Sequence, residues 1–562
     1  MTFAPQSLLR APPFPGRTVT VASLAPDSPA RHGADDLPDP QTLFAPIRAE
    51  QVGGDFWAEP ANLTTPPAVI VRPVRRGDPA AMAASLDPAD RAGALWVPTD
   101  PEDRALAAEA ARCGAVHATP VDPWSVLPDA GLLVAHGDDE WVALARIAGV
   151  AVRIHSAGQF GTPEDSAATL DTAVARHLVA SRYTDPFTGA ASTLSEIAAL
   201  LGLWRRLIAA NRTIAAACGM AWWKRDEIRR FLWVPGRTLQ FARTAAHALR
   251  LARKAGGAVA IWPSRVSPAL LEQAGRQNTA LVRVEDGFVR SVGLGSNLVP
   301  PSSVVVDRAG IHFDPAGPSD LETILATTDF TPAMRARAQA LCRTIIAAGI
   351  SKYAAGPAAD VAVRQSANRR LVLVPAQVED DMSVLAGGGG LHSNLELLRR
   401  ARALEPDAEI WFRPHPDVDA GHRKGAVPDA DALRYADRIV RGGGMAALLD
   451  QVDAVHVLTS LSGFEALIRG LDVTCHGTPF YAGWGLTRDL GTVPDRRGRR
   501  LDVDELAAGV LILYPRYLDP VTGLPCPPEV LIRRMAQADA PNRLGWVAPL
   551  RRWQGRFMAR WR

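Results

Sequence analysis

From about residue 68 onward, short apolar runs alternate with short helical stretches, and this alternation constrains the fold more than any other feature of the chain. Val69-Ile70-Val71, Ala94-Leu95-Trp96-Val97, Gly131-Leu132-Leu133-Val134-Ala135 and Val150-Ala151-Val152-Arg153-Ile154 read as strands. Asp87 to Ala92, Arg104 to Cys113 and Glu140 to Ile147 read as helical segments between them. Strands alternating with helices predict βαβ units and a parallel sheet. Leu194 to Trp233 reads as largely helical and contains Trp222-Trp223-Lys224-Arg225. The alternation resumes with strands at 258–262, 280–284, 303–306 and 371–374. A second run starts near Asn394, with strands at 409–412, 454–458 and 472–475 and a helix from Gly463 to Arg469. The expected fold class is α/β, with two Rossmann-like lobes in series after a first partial one.

Composition narrows the class. A chain of 562 residues exceeds one ordinary domain, so two or three are expected. A net charge of +3 gives no general case for nucleic acid as a partner. Five scattered cysteines without C-x-x-C spacing argue against a disulfide framework or a zinc site and suit a reducing cytoplasm. Residues 1–60 are rich in Pro and Gly with weak periodicity and read as poorly ordered. No signal-peptide core and no run of about 18 apolar residues is present, so a soluble or peripheral protein is expected.

A repeat is visible. Leu133 to Gly158 parallels Val457 to Gly477, with His155 matching His476. Both copies reach a similar tail, Tyr183-Thr184-Asp185-Pro186-Phe187-Thr188-Gly189 and Tyr517-Leu518-Asp519-Pro520-Val521-Thr522-Gly523. Two matches in the same order indicate duplication. The first copy has Pro98-Thr99-Asp100-Pro101 where the second has His415-Pro416, and it reads as a degenerate half module.

Candidate chemistry gathers at strand ends, where open α/β sheets bind ligands. Arg413-Pro414-His415-Pro416 holds a cation and an imidazole between prolines of fixed φ, suited to a phosphate; the alternative is a structural turn. Thr459-Ser460-Leu461-Ser462-Gly463-Phe464-Glu465 opens a helix, where hydroxyls and N–H groups attract anions. Its plain reading is an N-cap at Ser462 with Glu465 completing a capping box. Gln377-Val378-Glu379-Asp380-Asp381 places three acids after an apolar strand, and a carboxylate there can serve as general base or as nucleophile on a sugar. Adjacent carboxylates also suit a metal, but no further ligand stands at metal spacing. Glu285-Asp286-Gly287 ends another strand, where either acid can position a hydroxyl or partner Asp381; Arg290 can counter a sugar carboxylate. Gly293-Leu294-Gly295 reads as a tight turn, and Gly387 to Gly390 as a mobile loop or a passive linker. The arginine- and tryptophan-rich tail, Arg543 to Arg562, suits an anionic lipid surface or a solvated helix end.

These segments resemble the capsule polysaccharide synthesis family typified by KpsC. The resemblance rests on Glu285 to Ser291, Pro300-Pro301, Asp307, Gly310-Ile311, Gln377 to Asp381, Asn394 to Leu398, His415 to Val418, Arg423 to Gly425, Ser460 to Leu467 and Phe480 to Thr487. It implies a GT-B-like pair of lobes and a retaining β-Kdo transferase that uses CMP-Kdo to extend an oligo-Kdo linker on lysophosphatidylglycerol. By the resemblance, Asp381 is the catalytic nucleophile, assisted by Glu285 and Asp286. Gln377, Arg413, His415, Pro416, Lys424, Ser460, Ser462, Gly463 and Glu465 would hold the donor, with Arg290 and Asp380 toward the acceptor or the sugar carboxylate. No metal or other cofactor is expected. The expected partners are CMP-Kdo, the glycolipid acceptor, the inner face of the inner membrane and capsule assembly and export proteins. The expected domains are a poorly ordered 1–60, a degenerate half module at 61–195, linker helices with an acceptor-side lobe at 196–392, a donor lobe at 393–523 and a C-terminal helix and tail at 524–562. Two competing readings stand beside this one: an inverting CMP-sugar transferase with Asp381 as base, and a non-catalytic sugar-binding assembly partner.

Overall fold

The protein is described by a computed structural model covering residues 7–24, 37–100, 102–117, 120–290, 299–351, 364, 368–419, 421 and 423–537. The Gly293-Leu294-Gly295 turn and the tail from Arg543 lie outside these residues. The chain divides into two compact units, residues 1–211 with 234–237, and 212–233 with 238–562.

In the first unit, β1 (Ala22–Leu24) precedes a sheet of β2 (Val69–Val71), β3 (Ala94–Trp96), β4 (Ala115–Val116), β5 (Leu132–Ala135) and β6 (Ala151–Ile154). The five run parallel in the order β4-β3-β2-β5-β6, and β7 (Ser181–Tyr183) returns antiparallel to β1. The segment expected to be poorly ordered contributes to this unit. Helix Pro40–Glu50 starts at Asp39, whose carboxylate accepts the Thr42 N–H at 3.1 Å, with proline at its first position. Phe44 and Ile47 on that helix are fully buried, as are Leu8 and Leu9 upstream. A few large apolar side chains order a stretch whose average composition looks like linker.

The second unit holds two sheets. The first is built from β8 (Ile214–Cys218), β9 (Gln240–Ala242), β10 (Ala258–Ile261), β11 (Leu281–Asp286) and β12 (Ser303–Asp307). The second is built from β13 (Leu371–Pro375), β14 (Glu409–Arg413), β15 (Arg438–Ile439), β16 (Ala454–Val457), β17 (Asp472–Cys475) and β18 (Arg488–Asp489). All pairings in the second sheet are parallel, in the order β15-β14-β13-β16-β17-β18. The chain then returns to the first sheet as β19 (Pro515–Leu518) and β20 (Pro525–Cys526), giving β20-β19-β12-β11-β10-β8-β9. Val372, Val374, Leu398, Ile410 and Phe412 form the core beneath the second sheet; Val259, Ile261, Leu249 and Leu270 cover one face of the first.

Three expectations change. The span 194–233 is interrupted: helix Leu194–Arg212 stops and Ile214-Ala215-Ala216-Ala217-Cys218 is a strand. Alanine favours helix, but pairing with β9 and β10 overrides that preference. β12 runs antiparallel to both β11 and β19, so the first sheet is mixed. The second lobe begins at β13, not near residue 393, so the strand that delivers Asp381 belongs to the same sheet as β14 and β16.

The duplication appears in the topology. The first unit's order, β4-β3-β2-β5-β6, matches β15-β14-β13-β16-β17 strand for strand. The tails share three turn bonds. Asp185 accepts the Phe187 N–H and the Thr188 hydroxyl, each at 2.8 Å. Asp519 accepts the Val521 N–H at 3.2 Å and the Thr522 hydroxyl at 2.8 Å. Each turn closes with a glycine N–H on the Asp carbonyl, Gly189 at 2.8 Å and Gly523 at 2.7 Å.

Candidate functional site

The carboxyl ends of β11, β13 and β16 reach two cavities in the second unit that share Asp381, Ser383, Thr459 and Leu461 as wall residues. The smaller, about 200 Å³, adds Glu285, Asp286, Phe288, His312 and Phe480. The larger, about 400 Å³, adds Gln377, Arg413, His415, Pro416, Ser460, Ser462 and Glu465. The expected catalytic acids and most of the expected donor residues therefore border one continuous recess.

Asp381 caps helix Met382–Gly387. Its Oδ1 accepts the Ser383 N–H at 3.0 Å and the Ser383 hydroxyl at 2.8 Å. These bonds fix the carboxylate's orientation and leave Oδ2 for chemistry. Gln377 links the two strand ends beside it: its carbonyl oxygen accepts the Thr459 N–H at 2.8 Å and its amide donates to Thr459 Oγ1 at 3.0 Å. His415 Nδ1 accepts the Asp417 N–H at 3.2 Å, which puts the proton of the neutral ring on Nε2. Ser460, rather than Ser462, caps helix Leu461–Leu467; its Oγ accepts the Ser462 N–H at 3.2 Å. The cavity wall thus offers hydroxyls, an imidazole and a carboxylate at the start of a helix, a donor set suited to a phosphate and a sugar.

On the other side, Asp286 is held by two cations. Lys224 Nζ lies 3.0 Å from Oδ1 and Arg290 Nε 2.8 Å from Oδ2. Lys224 is buried, with its ammonium 3.4 Å from the Trp262 ring centre. Burial lowers the Lys224 pKa, opposed by Asp286 and Glu285. Glu285, whose Oε1 accepts the Asp286 N–H at 3.0 Å, lines the same cavity. Phe288 packs on Phe480 at 4.7 Å and on His312 at 4.9 Å, forming an aromatic floor.

Five assigned residues are placed otherwise than expected. Arg290 is fully buried beneath Asp286 and donates to the Val299 carbonyl at 2.8 Å, so it does not face a sugar. Arg413 reaches the larger cavity, but its terminal nitrogens donate to the carbonyls of Gly442 and of Gly443, the latter at 2.7 Å; burial lowers its pKa. It fastens the 442–443 turn. Asp380 points to Arg423 at 3.1 Å, exposed, and Lys424 is exposed with its carbonyl accepting the Glu379 N–H at 3.2 Å; neither borders the recess. Gly463 serves packing: a Cβ there would stand 2.2 Å from the Tyr481 hydroxyl. The glycine run is likewise half packed, since a Cβ on Gly388 would meet the Leu391 carbonyl at 2.3 Å, whereas Gly389 and Gly390 form an exposed left-handed turn. Sequence reading passed over Lys224, Ser383, His312 and Phe480 as wall or support residues. Only the Trp222-Trp223-Lys224 run and the Phe480 segment gave any signal.

Comparison with known proteins places the chain among capsule polysaccharide proteins. The family model described as capsule polysaccharide biosynthesis protein matches residues 257–517. The capsule polysaccharide modification protein LipA of Neisseria meningitidis serogroup A is 41% identical over 348 residues, covering 62% of this chain and 49% of LipA. The lipopolysaccharide-processing protein LpsZ of Rhizobium meliloti is 43% identical over 265 residues, covering 46% of this chain and 59% of LpsZ. The chain thus spans about half the length of the curated relatives it matches. Two solved structures of Thermosulfurimonas dismutans KpsC are similar. The β-Kdo 2,7 transferase is 33% identical, covering 58% of this chain and 99% of that one, with a TM-score of 0.48. The β-Kdo 2,4 transferase is 30% identical, covering 57% and 98%, with a TM-score of 0.49. With the family model matched over residues 257–517 and 33% identity along 99% of one KpsC chain, the chain belongs to the KpsC-type family of capsule polysaccharide biosynthesis proteins.

Proposed function

We propose that the second unit is a Kdo transferase that uses CMP-Kdo, retains the β configuration and extends a Kdo-terminated glycolipid. The observation that carries the reading is Asp381, oriented by Ser383 on the wall common to both cavities. In the first step Asp381 Oδ2 attacks the anomeric carbon, and the bond from that carbon to the CMP phosphate oxygen breaks. His415 Nε2–H and the hydroxyls of Ser460 and Ser462 take up the charge developing on the phosphate. Glu465 accepts hydrogen bonds from the nucleoside. In the second step Glu285 takes the proton of an acceptor hydroxyl, whose oxygen attacks the same carbon and releases Asp381. Two inversions return the starting configuration. Among the described residues no helix is long and apolar enough to cross a membrane, which fits a lipid acceptor reached from the membrane surface.

The test is mass spectrometry and anomeric analysis of products from the purified chain, CMP-Kdo and a synthetic Kdo-terminated glycolipid. The expected product carries one added β-Kdo, and Asp381→Ala abolishes it. An α product refutes the double displacement. Intact donor with wild-type protein refutes transfer by this chain alone, and normal turnover by Asp381→Ala refutes the nucleophile.

A further inference from the structure

The first unit carries its own cluster at the place where the second lobe presents its site. Asp78 follows β2 at the start of helix Asp78–Ala84, His136 follows β5 and His155 follows β6. The order β4-β3-β2-β5-β6 turns between β2 and β5, and the crevice outside the carboxyl ends at such a reversal is where open α/β sheets take ligands. In the matching strands of the second lobe, β13 and β16, that crevice holds Asp381, Thr459 and Ser460. The degenerate copy has lost the His-Pro pair, and two imidazoles and a carboxylate stand at its own crevice.

One ligand atom from each of Asp78, His136 and His155 can be chosen so that all three lie within 4.8 Å of one another. Asp78 and His136 are buried and His155 half-buried. His136 Nε2 lies 2.8 Å from Asp78 Oδ2, and its Nδ1 lies 2.7 Å from Ser156 Oγ. Asp78 Oδ2 also accepts the Val74 and Arg75 N–H groups at 3.0 and 2.9 Å, and Oδ1 faces the exposed Arg75 side chain at 3.3 Å. With a proton on Nε2 this contact is a hydrogen bond; with Nε2 unprotonated and Nδ1–H donating to Ser156, a metal ion can take the proton's place. The backbone holds the imidazoles at a set separation. A Cβ on Gly158 would come within 2.2 Å of the Gly137 carbonyl carbon, so the segments carrying His136 and His155 lie main chain to main chain.

We infer that Asp78, His136 and His155 form a binding site for a divalent transition-metal ion of the Zn²⁺ class. Two nitrogens and one oxygen suit zinc, and three protein ligands leave a fourth position for water. Bonds of about 2.0–2.2 Å require Asp78 and His136 to part by a few tenths of an ångström and His155 to turn inward. Binding releases the shared proton to solvent. Ser156 then holds the His136 tautomer, as the outer partner of a metal-bound histidine does.

The test is calorimetric titration of the chelator-stripped full chain with ZnCl₂, with Co²⁺ and its visible absorption as a second readout. One ion per chain is expected. His136→Ala/His155→Ala removes it, while His392→Ala, at an exposed histidine of the other unit, leaves it unchanged. Ser156→Ala keeps all three ligands and is expected to weaken binding about 10- to 100-fold. No heat and no Co²⁺ band with wild-type circular dichroism intact overturns the site, as does unchanged binding in the double variant.

Discussion

Replacing Gly463 with alanine separates a packing glycine from a ligand-binding one. The new Cβ would stand 2.2 Å from the Tyr481 hydroxyl, 2.6 Å from Cζ and 2.9 Å from Cε2. Ordinary contact needs about 3.5 Å, so the ring or helix Leu461–Leu467 must move by about 1 Å. Tyr481 is fully buried and its hydroxyl donates to the Ser460 carbonyl, so neither partner has room. Overpacking costs about 1–3 kcal/mol. A displaced hydroxyl adds about 1–3 kcal/mol. Alanine's helix preference returns about 1 kcal/mol. The net destabilisation is about 1–5 kcal/mol by these terms. Urea unfolding followed by circular dichroism measures it. Tyr481→Phe removes the 2.2 Å overlap, so the double variant should fall short of the sum of the singles by about 0.5 kcal/mol or more. If Gly463→Ala unfolds at the wild-type midpoint, or the two changes simply add, the packing argument is wrong.

Three further outcomes are expected. His456 and His476 lie 3.1 Å apart, and burial, the first cause for each, pushes both down to about 4. The unfolded chain takes up these protons near pH 6.5, so stability is complete above that and falls as the pH drops toward 4. At about 1.4 kcal/mol per unit, the loss by pH 4 is on the order of 3 kcal/mol per histidine at most. Denaturant midpoints at pH 7 and 4.5 should differ less in His456→Gln/His476→Gln, and an unchanged difference refutes the assignment. Lys224→Met removes one of the two cations on Asp286, and Arg290 keeps that acid paired. The acid limb of the transfer pH–rate profile should then move to higher pH, because a carboxylate that loses a cation binds its proton more tightly; an unmoved limb excludes a positioning role. Ser383→Ala removes one of two bonds on Asp381 Oδ1 and should lower kcat with little change in donor KM. A change in KM alone would make Ser383 a donor contact.

Parallel α/β character was legible because Leu371-Val372-Leu373-Val374 and its counterparts are apolar on both faces, as buried parallel strands must be. Ile214–Cys218 was not, because three alanines carry no strand signature and only their sheet neighbours decide. Nor does anything local in Ser303–Asp307 state that it pairs antiparallel; β19, from the far end of the chain, imposes one side of that pairing. The meeting of Glu285, Asp381 and His415 around one recess could be anticipated because all three follow strands, and strand ends converge. Arg290 and Arg413 could not be told from ligand-binding arginines, since a guanidinium that bonds backbone carbonyls looks the same in sequence as one waiting for a phosphate. Lys224 was hidden for the opposite reason: its role follows from burial between Asp286 and Trp262, which no spacing encodes.

The return of the chain to its first sheet sets a schedule for synthesis. β12 is made long before its partner, and the bond that pins the return, from the Tyr514 hydroxyl to the buried Asp307, spans 207 residues. Until Pro515 leaves the ribosome, the Ser303–Val305 edge has backbone groups that only β19 will satisfy. The second lobe has every one of its own strands by Asp489 and can finish folding while the first is still open. A nascent chain stalled between those points therefore exposes an unpaired strand edge, a form prone to aggregation.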